Sequence, residues 1–176
     1  MLDFFEQAAN LKNIKRQGWI DKLGIKNPES VAEHCYSMSV LGMVLSELEN
    51  LDTSTVLKMV ILHDLAESRI GDITPEQMNQ EKKNQLEDIT ICKMLDQLPK
   101  NISVKYKKIW NDYKEKQTAE SIFVHEIDKL EMILQAVIYS KNSSFDLQLD
   151  TFVKTAQKEI QNKRLKEILA KLLQMI

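Results

Sequence analysis

Hydrophobic positions in this chain recur at the three- and four-residue spacing of amphipathic α-helices along nearly its whole length. Phe4, Phe5, Ala8 and Leu11 follow this spacing and predict a first helix over about residues 3–15. Only four glycines and three prolines interrupt the pattern, too few for a protein of many short strands. The pattern therefore predicts an all-α fold.

Capping and helix-breaking residues divide the rest of the chain. Ser30 and Glu33 stand three residues apart, which is the capping-box signature, and Pro75 suits the start of a charged helix. We read residues 15–28 as a loop. The further predicted helices cover about residues 30–48, 53–70, 75–97, 103–116 and 118–140, with two more in 146–176. We expect one compact domain, residues 1–176, of about seven to eight helices, with the C-terminal helices packing on or extending it.

Composition narrows the class of protein. With 24 Lys+Arg against 26 Asp+Glu, no overall field would attract a nucleic acid polymer. The apolar runs are shorter than the roughly 20 residues of a membrane span, and the first residues lack the basic region of a secretory signal. Two cysteines, Cys35 and Cys92, make no disulfide framework. We therefore expect a cytoplasmic protein with neither nucleic acid nor membrane as partner.

Histidines and aspartates interrupt apolar helical faces at three places. They are His34 in "VAEHCYSMSV", His63 and Asp64 in "MVILHDLAES", and Asp128 in "HEIDKLEMILQAV". A buried carboxylate is costly unless it is paired or bound to a metal. Adjacent helical residues point about 100° apart, so the side chains of His63 and Asp64 would reach a common point. Two imidazoles and two carboxylates suit a divalent transition ion and leave positions open for water.

The order of these motifs resembles the HD-domain metal-dependent phosphohydrolases, and most closely their 5′-deoxynucleotidase branch. The matching stretches are "RQGW", "PESVAEH", "HDLAESRIGDITP" and "EIDKLEMILQA", which span roughly residues 4–140. The resemblance implies removal of phosphate from deoxynucleoside 5′-monophosphates. It also implies a homodimer and a divalent metal cation, Co or Mn first, with Mg, Zn, Ni or Fe also open.

The resemblance assigns metal binding and proton transfer to five side chains. His34, His63, Asp64 and Asp128 match the family's metal ligands. Glu67 matches a glutamate that orients or deprotonates the attacking water, or manages the proton of the leaving oxygen. This residue lies four positions after His63 and three after Asp64, which would put it on the same helical face.

Three further residues would contact the substrate according to the resemblance. Asp72, just past Gly71, matches an aspartate that contacts the deoxyribose. Arg16 matches an arginine that holds the phosphate, and a guanidinium is a two-pronged donor suited to phosphate oxygens. Trp19 matches a tryptophan close to the substrate. Some relatives have the arginine and tryptophan adjacent, whereas two residues separate them here.

Less specific interpretations exist for several of these positions. Asp128 taken alone would also suit a buried ion pair with Lys12 or Arg16, and the histidines taken alone would suit a hydrogen-bonded core. His125 is expected at the surface or behind the ligands, and Cys35 in the core, pointing away from the site. The run "QEKKNQLED" is expected to form a solvated face.

Two alternative functions follow from the same residues. One is an HD phosphohydrolase for another small phosphoester, such as a cyclic nucleotide or a nucleoside triphosphate. The other is a helical scaffold that keeps the metal only as a structural element. Glu67 and Asp72 argue against the scaffold, because a structural metal site needs neither of them.

Overall fold

The computed structural model of the chain describes residues 1–142 and 147–176, and most of these residues are helical. They form a 3-10 helix, Asn10–Asn13, and ten α-helices: α1 Leu2–Ala9, α2 Gln17–Leu23, α3 Val31–Leu48, α4 Thr53–Leu62, α5 Glu67–Ile70, α6 Gln80–Leu95, α7 Lys100–Glu115, α8 Ala119–Asn142, α9 Asp150–Glu159 and α10 Lys163–Leu173. Within those two ranges the single β-pairing is an isolated bridge between Lys15 and Ser30. The predicted all-α fold is confirmed. None of the described helices is long and apolar enough to cross a membrane.

The N-terminal part contains more and shorter helices than the hydrophobic pattern predicted. This contributes to a number of described helices larger than the seven to eight expected. The first helix ends at Ala9 and continues as the 3-10 turn rather than running to residue 15. The expected loop over residues 15–28 contains α2, which ends at Gly24 in the left-handed conformation, with φ of 65°. Such a short helix depends on tertiary contacts rather than on propensity, so periodicity did not reveal it.

The helix predicted over residues 53–70 is also interrupted. Asp52 caps α4 by accepting hydrogen bonds from two backbone N–H groups of its first turn. This helix ends at Leu62, residues 63–66 form a turn, and α5 then runs from Glu67 to Ile70. Gly71, with φ of 82°, ends α5 in a conformation that favours glycine. The His-Asp doublet therefore lies in a turn between two helices.

Two later helix starts also differ from the prediction. Helix α6 begins at Gln80, because Asn79 caps it by accepting from the Lys82 backbone N–H, and not at Pro75. Helix α7 begins at Lys100, directly after Pro99, rather than at residue 103. Residues 143–146, where the C-terminal helices were expected to begin, lie outside the described residues.

The core forms where α3 packs against α4 and α8. Gly42 of α3 allows this approach: a Cβ atom there would lie 3.2 Å from Ile127 Cδ1 and 3.3 Å from Val56 Cγ1. The C-terminal helices α9 and α10 pack on α8 and bury apolar side chains that include Phe152 and Leu165. The packing of α3, α4 and α8 brings His34, Asp128 and the turn after α4, which carries His63 and Asp64, to one place.

Candidate active site

Six of the eight predicted site residues line a cavity of about 480 Å³. Its lining includes Arg16, His63, Asp64, Glu67, Asp72 and Asp128. His34 lies directly beneath it, fully buried, with its ring directed at two of the lining carboxylates. Residues more than ninety positions apart in the sequence therefore meet at one polar cavity.

Four side chains bring their donor atoms close together at the floor of the cavity. His63 Nε2 lies 3.0 Å from Asp64 Oδ2, and His34 Nε2 lies 3.8 Å from the same oxygen. Asp128 Oδ1 is 3.4 Å from His34 Nε2. The donor atoms of His34, His63 and Asp128 all lie within 4.8 Å of one another. These are separations that ligands of one ion can adopt, since bonds of about 2.1 Å place neighbouring ligands roughly 3 Å apart.

The two imidazoles are oriented by hydrogen bonds on their far side. His34 Nδ1 lies 2.6 Å from Glu131 Oε2, and His63 Nδ1 lies 2.6 Å from the Val60 carbonyl oxygen. Both Nε2 atoms are buried and have no hydrogen-bond partner among the described residues. Metal-binding histidines typically have one nitrogen held by a carboxylate or carbonyl while the other binds the ion. The donor set therefore fits a divalent cation.

The electrostatics of the floor also favour a cation. Burial would raise the pKa of Asp128, but Lys129, whose Nζ lies 2.7 Å from Oδ2, and His34 keep it well below its usual range. Burial and the charge of Arg16 would lower the pKa of His34, yet Asp128 and Glu131 outweigh them and raise it to about 9. The described ion pairs of Asp128 do not include Lys12 or Arg16. Asp128 and Glu131 thus stabilise positive charge at the His34 imidazole.

Glu67 lines the same cavity, although the interruption after Leu62 places it in a separate short helix. Its side chain is 2% exposed, and Oε1 lies 3.2 Å from Lys83 Nζ. The other oxygen, Oε2, has no hydrogen-bond partner in the part of the chain that the structure describes. Burial and the charge of Asp64 raise the pKa of Glu67, whereas Lys83 opposes that shift.

Arg16 and Asp72 lie together at one edge of the cavity. Arg16 Nη1 is 3.5 Å from Asp64 Oδ2, and Asp72 Oδ2 accepts a 2.7 Å hydrogen bond from the Gln17 backbone N–H at the start of α2. Burial would lower the pKa of Arg16, but Asp64, Asp128 and Asp72 raise it. The guanidinium therefore stays charged beside the candidate ligands.

A second, smaller cavity of about 170 Å³ shares Arg16, Asp72 and Lys83 with the first. Trp19 forms part of its wall, with its indole stacked on Phe152 at a centroid distance of 4.7 Å. The indole Nε1 donates a 3.0 Å hydrogen bond to Glu29 Oε1, and Trp19 is only 2% exposed. The two cavities meet where the charged residues lie, and the second one continues along aromatic and apolar groups.

Two neighbouring residues fit their predictions only in part. His125 lines the main cavity, stacks on Tyr113 at 4.2 Å, and its Nε2 bonds to the Tyr113 carbonyl, while burial lowers its pKa to about 4. Cys35 is buried in the core as expected, but it does not point away, because its sulfur lies within 4.8 Å of donor atoms of His63 and Asp64. Burial raises the pKa of this thiol, so it stays protonated.

Several cavity residues were missed by the sequence reading. The run "QEKKNQLED" was expected to form only a solvated face, yet Gln80, Lys83, Asn84 and Glu87 line the cavity. They lie three, four and seven residues apart, which is the spacing of one helical face. The search for helical periodicity follows apolar residues, so a face made of polar residues was not noticed. Glu131 belongs to a matching stretch, but no role had been assigned to it.

Comparison with known proteins identifies the family. Residues 8–169 match the HD domain family, and the chain belongs to it. It is 37% identical over 148 residues to the 5′-deoxynucleotidase HDDC2 of Dictyostelium discoideum, covering 80% of this chain and 77% of the relative. It is 35% identical over 157 residues to the 5′-deoxynucleotidase hdd1 of Schizosaccharomyces pombe, covering 86% and 78%. The crystal structure of the PH0347 protein from Pyrococcus horikoshii OT3 matches over the whole of both chains, with a TM-score of 0.82 and 29% identity. The family predicted from the motifs is confirmed.

Proposed function

We propose that this chain is a metal-dependent 5′-deoxynucleotidase, which converts a deoxynucleoside 5′-monophosphate and water to the deoxynucleoside and phosphate. The observation that carries the proposal is the meeting of two imidazoles, two aspartates and Glu67 at one cavity. Membership of the HD domain family and relatives named 5′-deoxynucleotidases support it. An uncatalysed phosphate monoester reacts extremely slowly, so the site must neutralise charge and activate water.

We assign the metal to His34, His63, Asp64 and Asp128, with Co or Mn as the first candidates because mixed nitrogen and oxygen donors suit such ions. When bound, the ion would polarise the phosphoryl group and lower the pKa of water beside it. Glu131 would support His34 from behind through its bond to Nδ1. The Nε2 atoms of both histidines, which have no hydrogen-bond partner among the described residues, are the direct support for this assignment.

The remaining residues of the main cavity would act on the phosphate and the water. Arg16 would bind the phosphate oxygens, since its charged guanidinium lies at the junction of the two cavities. Glu67 would accept a proton from the attacking water at Oε2, which no described residue occupies, or return one to the leaving 5′-oxygen. The Oε2 atom is available for this because Lys83 occupies only Oε1.

The second cavity would hold the nucleoside. Asp72 would accept a hydrogen bond from the deoxyribose 3′-hydroxyl, because one of its oxygens is already held by the Gln17 N–H and the other has no partner among the described residues. Trp19 would form the apolar wall beside the sugar, kept in place by Glu29 and Phe152. A pocket closed on the sugar would leave no room for a 2′-hydroxyl.

Phosphate release from a panel of phosphoesters tests the activity. The protein, stripped with chelator and reloaded with Co, Mn, Mg or Zn, should release phosphate from deoxynucleoside 5′-monophosphates and hardly any from 3′-monophosphates. Asp64→Asn should lose metal and activity together, because it removes a charged ligand. Hydrolysis confined to cyclic nucleotides or triphosphates would contradict the substrate class, and tightly bound metal without any hydrolysis would favour the scaffold.

Glu131→Gln tests the support behind His34. The change keeps the shape of the side chain but removes its charge, so affinity for the metal should fall by about 10–100-fold in a chelator competition. Glu126→Gln is the matched control, a buried glutamate of the same helix that instead accepts the Asn162 backbone N–H. Wild-type affinity in both variants would show that Glu131 does not tune the ligand.

Asp72→Ala tests the contact with the sugar. Loss of a required hydrogen bond can cost ~10⁴ in discrimination, whereas exclusion of one hydroxyl by fit gives only about 10². The variant should therefore slow the deoxy substrate far more than the 2′,3′-dideoxy one, measured as kcat/KM. Equal losses on both substrates would mean that Asp72 acts only through its bond to Gln17.

We also propose that the chain forms a homodimer through α3. One face of this helix exposes apolar side chains at helical spacing: Tyr36, Val40, Met43, Val44 and Leu48. Contiguous exposed apolar surface of this kind marks interaction sites. A second copy of the chain, as the resemblance implied, would cover this stripe.

Light scattering at micromolar concentration tests the dimer. The wild-type particle should have twice the chain mass of 20.4 kDa, and Val44→Lys should reduce it to one chain because a charge would be buried at the interface. Ile89→Lys, at another exposed apolar residue, on α6, should leave the mass unchanged. A monomeric wild type would contradict the proposal.

A further inference from the structure

Helix α6 contributes one polar face to the main cavity, and the function described so far gives this face no role of its own in the reaction. Lys83 is the residue of that face that touches the catalytic machinery. Its Nζ lies 3.2 Å from Glu67 Oε1 and 3.5 Å from Glu87 Oε1. The side chain is 18% exposed, so the ammonium group is largely removed from solvent between two carboxylates.

The contact matters because Glu67 is itself almost completely buried. A carboxylate in such surroundings is stable in the charged form only with a partner, and the removal of one member of a buried pair is strongly destabilising. Of the other described lysines that line the cavity, Lys114 pairs with Asp88 and Lys129 with Asp128, and Lys116 forms no ion pair with a described residue. Lys83 is thus the described cation that contacts Glu67.

The contact also selects which oxygen of Glu67 is free. Lys83 binds Oε1, whereas Oε2 has no hydrogen-bond partner from any described residue. Without the lysine the carboxylate would have two equivalent buried oxygens and no fixed rotation about its last bond. With the lysine, one oxygen is anchored and the other remains for a proton.

We propose that Lys83 is a positioning residue for the hydrolysis, which anchors Glu67 through Oε1 so that Oε2 meets the attacking water. This inference rests on the proposed function, because it gives Glu67 the role of proton acceptor or donor. Lys83 acts through Glu67 and has no direct part in binding the phosphate.

The proposal makes a kinetic prediction. Lys83→Met should lower kcat by about 10²-fold, the scale of a misplaced catalytic group, with KM and metal content close to those of the wild type. Lys83→Arg should recover most of the turnover, since it returns a cation to the same carboxylate. Lys82→Met is the matched control, because this neighbouring lysine is exposed, and it should behave as wild type.

A double-mutant cycle separates positioning from a general effect on the fold. In a Glu67→Gln background, Lys83→Met should cause almost no further loss of kcat, because the group that Lys83 positions is already absent. Additive losses, or a raised KM with unchanged kcat, would overturn the proposal. If Lys83→Met does not fold, as judged by circular dichroism, Lys83→Gln takes its place in the cycle.

The controls distinguish this inference from the proposed function. If the wild type and Lys82→Met release no phosphate from any deoxynucleoside monophosphate, the proposed function has failed. If both are active and Lys83→Met is equally active, the function stands and the role of Lys83 is wrong.

Discussion

His34 on α3 donates a 2.6 Å hydrogen bond from Nδ1 to Glu131 Oε2 on α8, and neither side chain is more than 1% exposed. A bond to a charged acceptor is strong where water is excluded, and breaking it would leave a buried carboxylate unpaired. Asp128 lies one helical turn before Glu131, so both carboxylates present themselves to the same histidine. The pair therefore joins two core helices. It also orients the ring of His34 toward Asp128, and the other residues of the cavity floor lie around these two side chains.

The turn between α4 and α5 places His63, Asp64 and Glu67 at the same cavity. His63 Nδ1 bonds to the Val60 carbonyl, so the end of α4 orients the imidazole. Helix α5 ends at Gly71, and the next residue, Asp72, accepts a hydrogen bond from the first N–H of α2. A carboxylate at a helix N-terminus is favourable. Here the Asp72 carboxylate links the segment after His63 and Asp64 to α2, the helix that carries Trp19. One short segment thus joins the floor of the main cavity to the wall of the second cavity.

The sequence was informative where a polar residue broke an apolar pattern. His34, His63 and Asp128 stood out for that reason, and the structure brings their donor atoms within 4.8 Å of one another. Lys83 could not be found in the same way, because it lies in a charged helix where one more lysine carries no contrast. Helix α2 was missed because its few residues form only through packing and capping by other parts of the chain. Contrast with the surroundings, more than importance to the site, decided what could be predicted.

The C-terminal region also contains site residues that the sequence pattern could not reveal. Phe152 of α9 stacks on Trp19, and Glu159 at the end of that helix lines the main cavity. Both are ordinary residues of an amphipathic helix, so nothing in their spacing indicates a neighbour more than a hundred positions earlier. Their contribution exists only because α9 packs on α8, the helix that carries Asp128 and Glu131. The C-terminal helices therefore belong to the architecture of the site: α8 supplies the acids of its floor, and α9, packed on α8, adds one lining residue to each cavity.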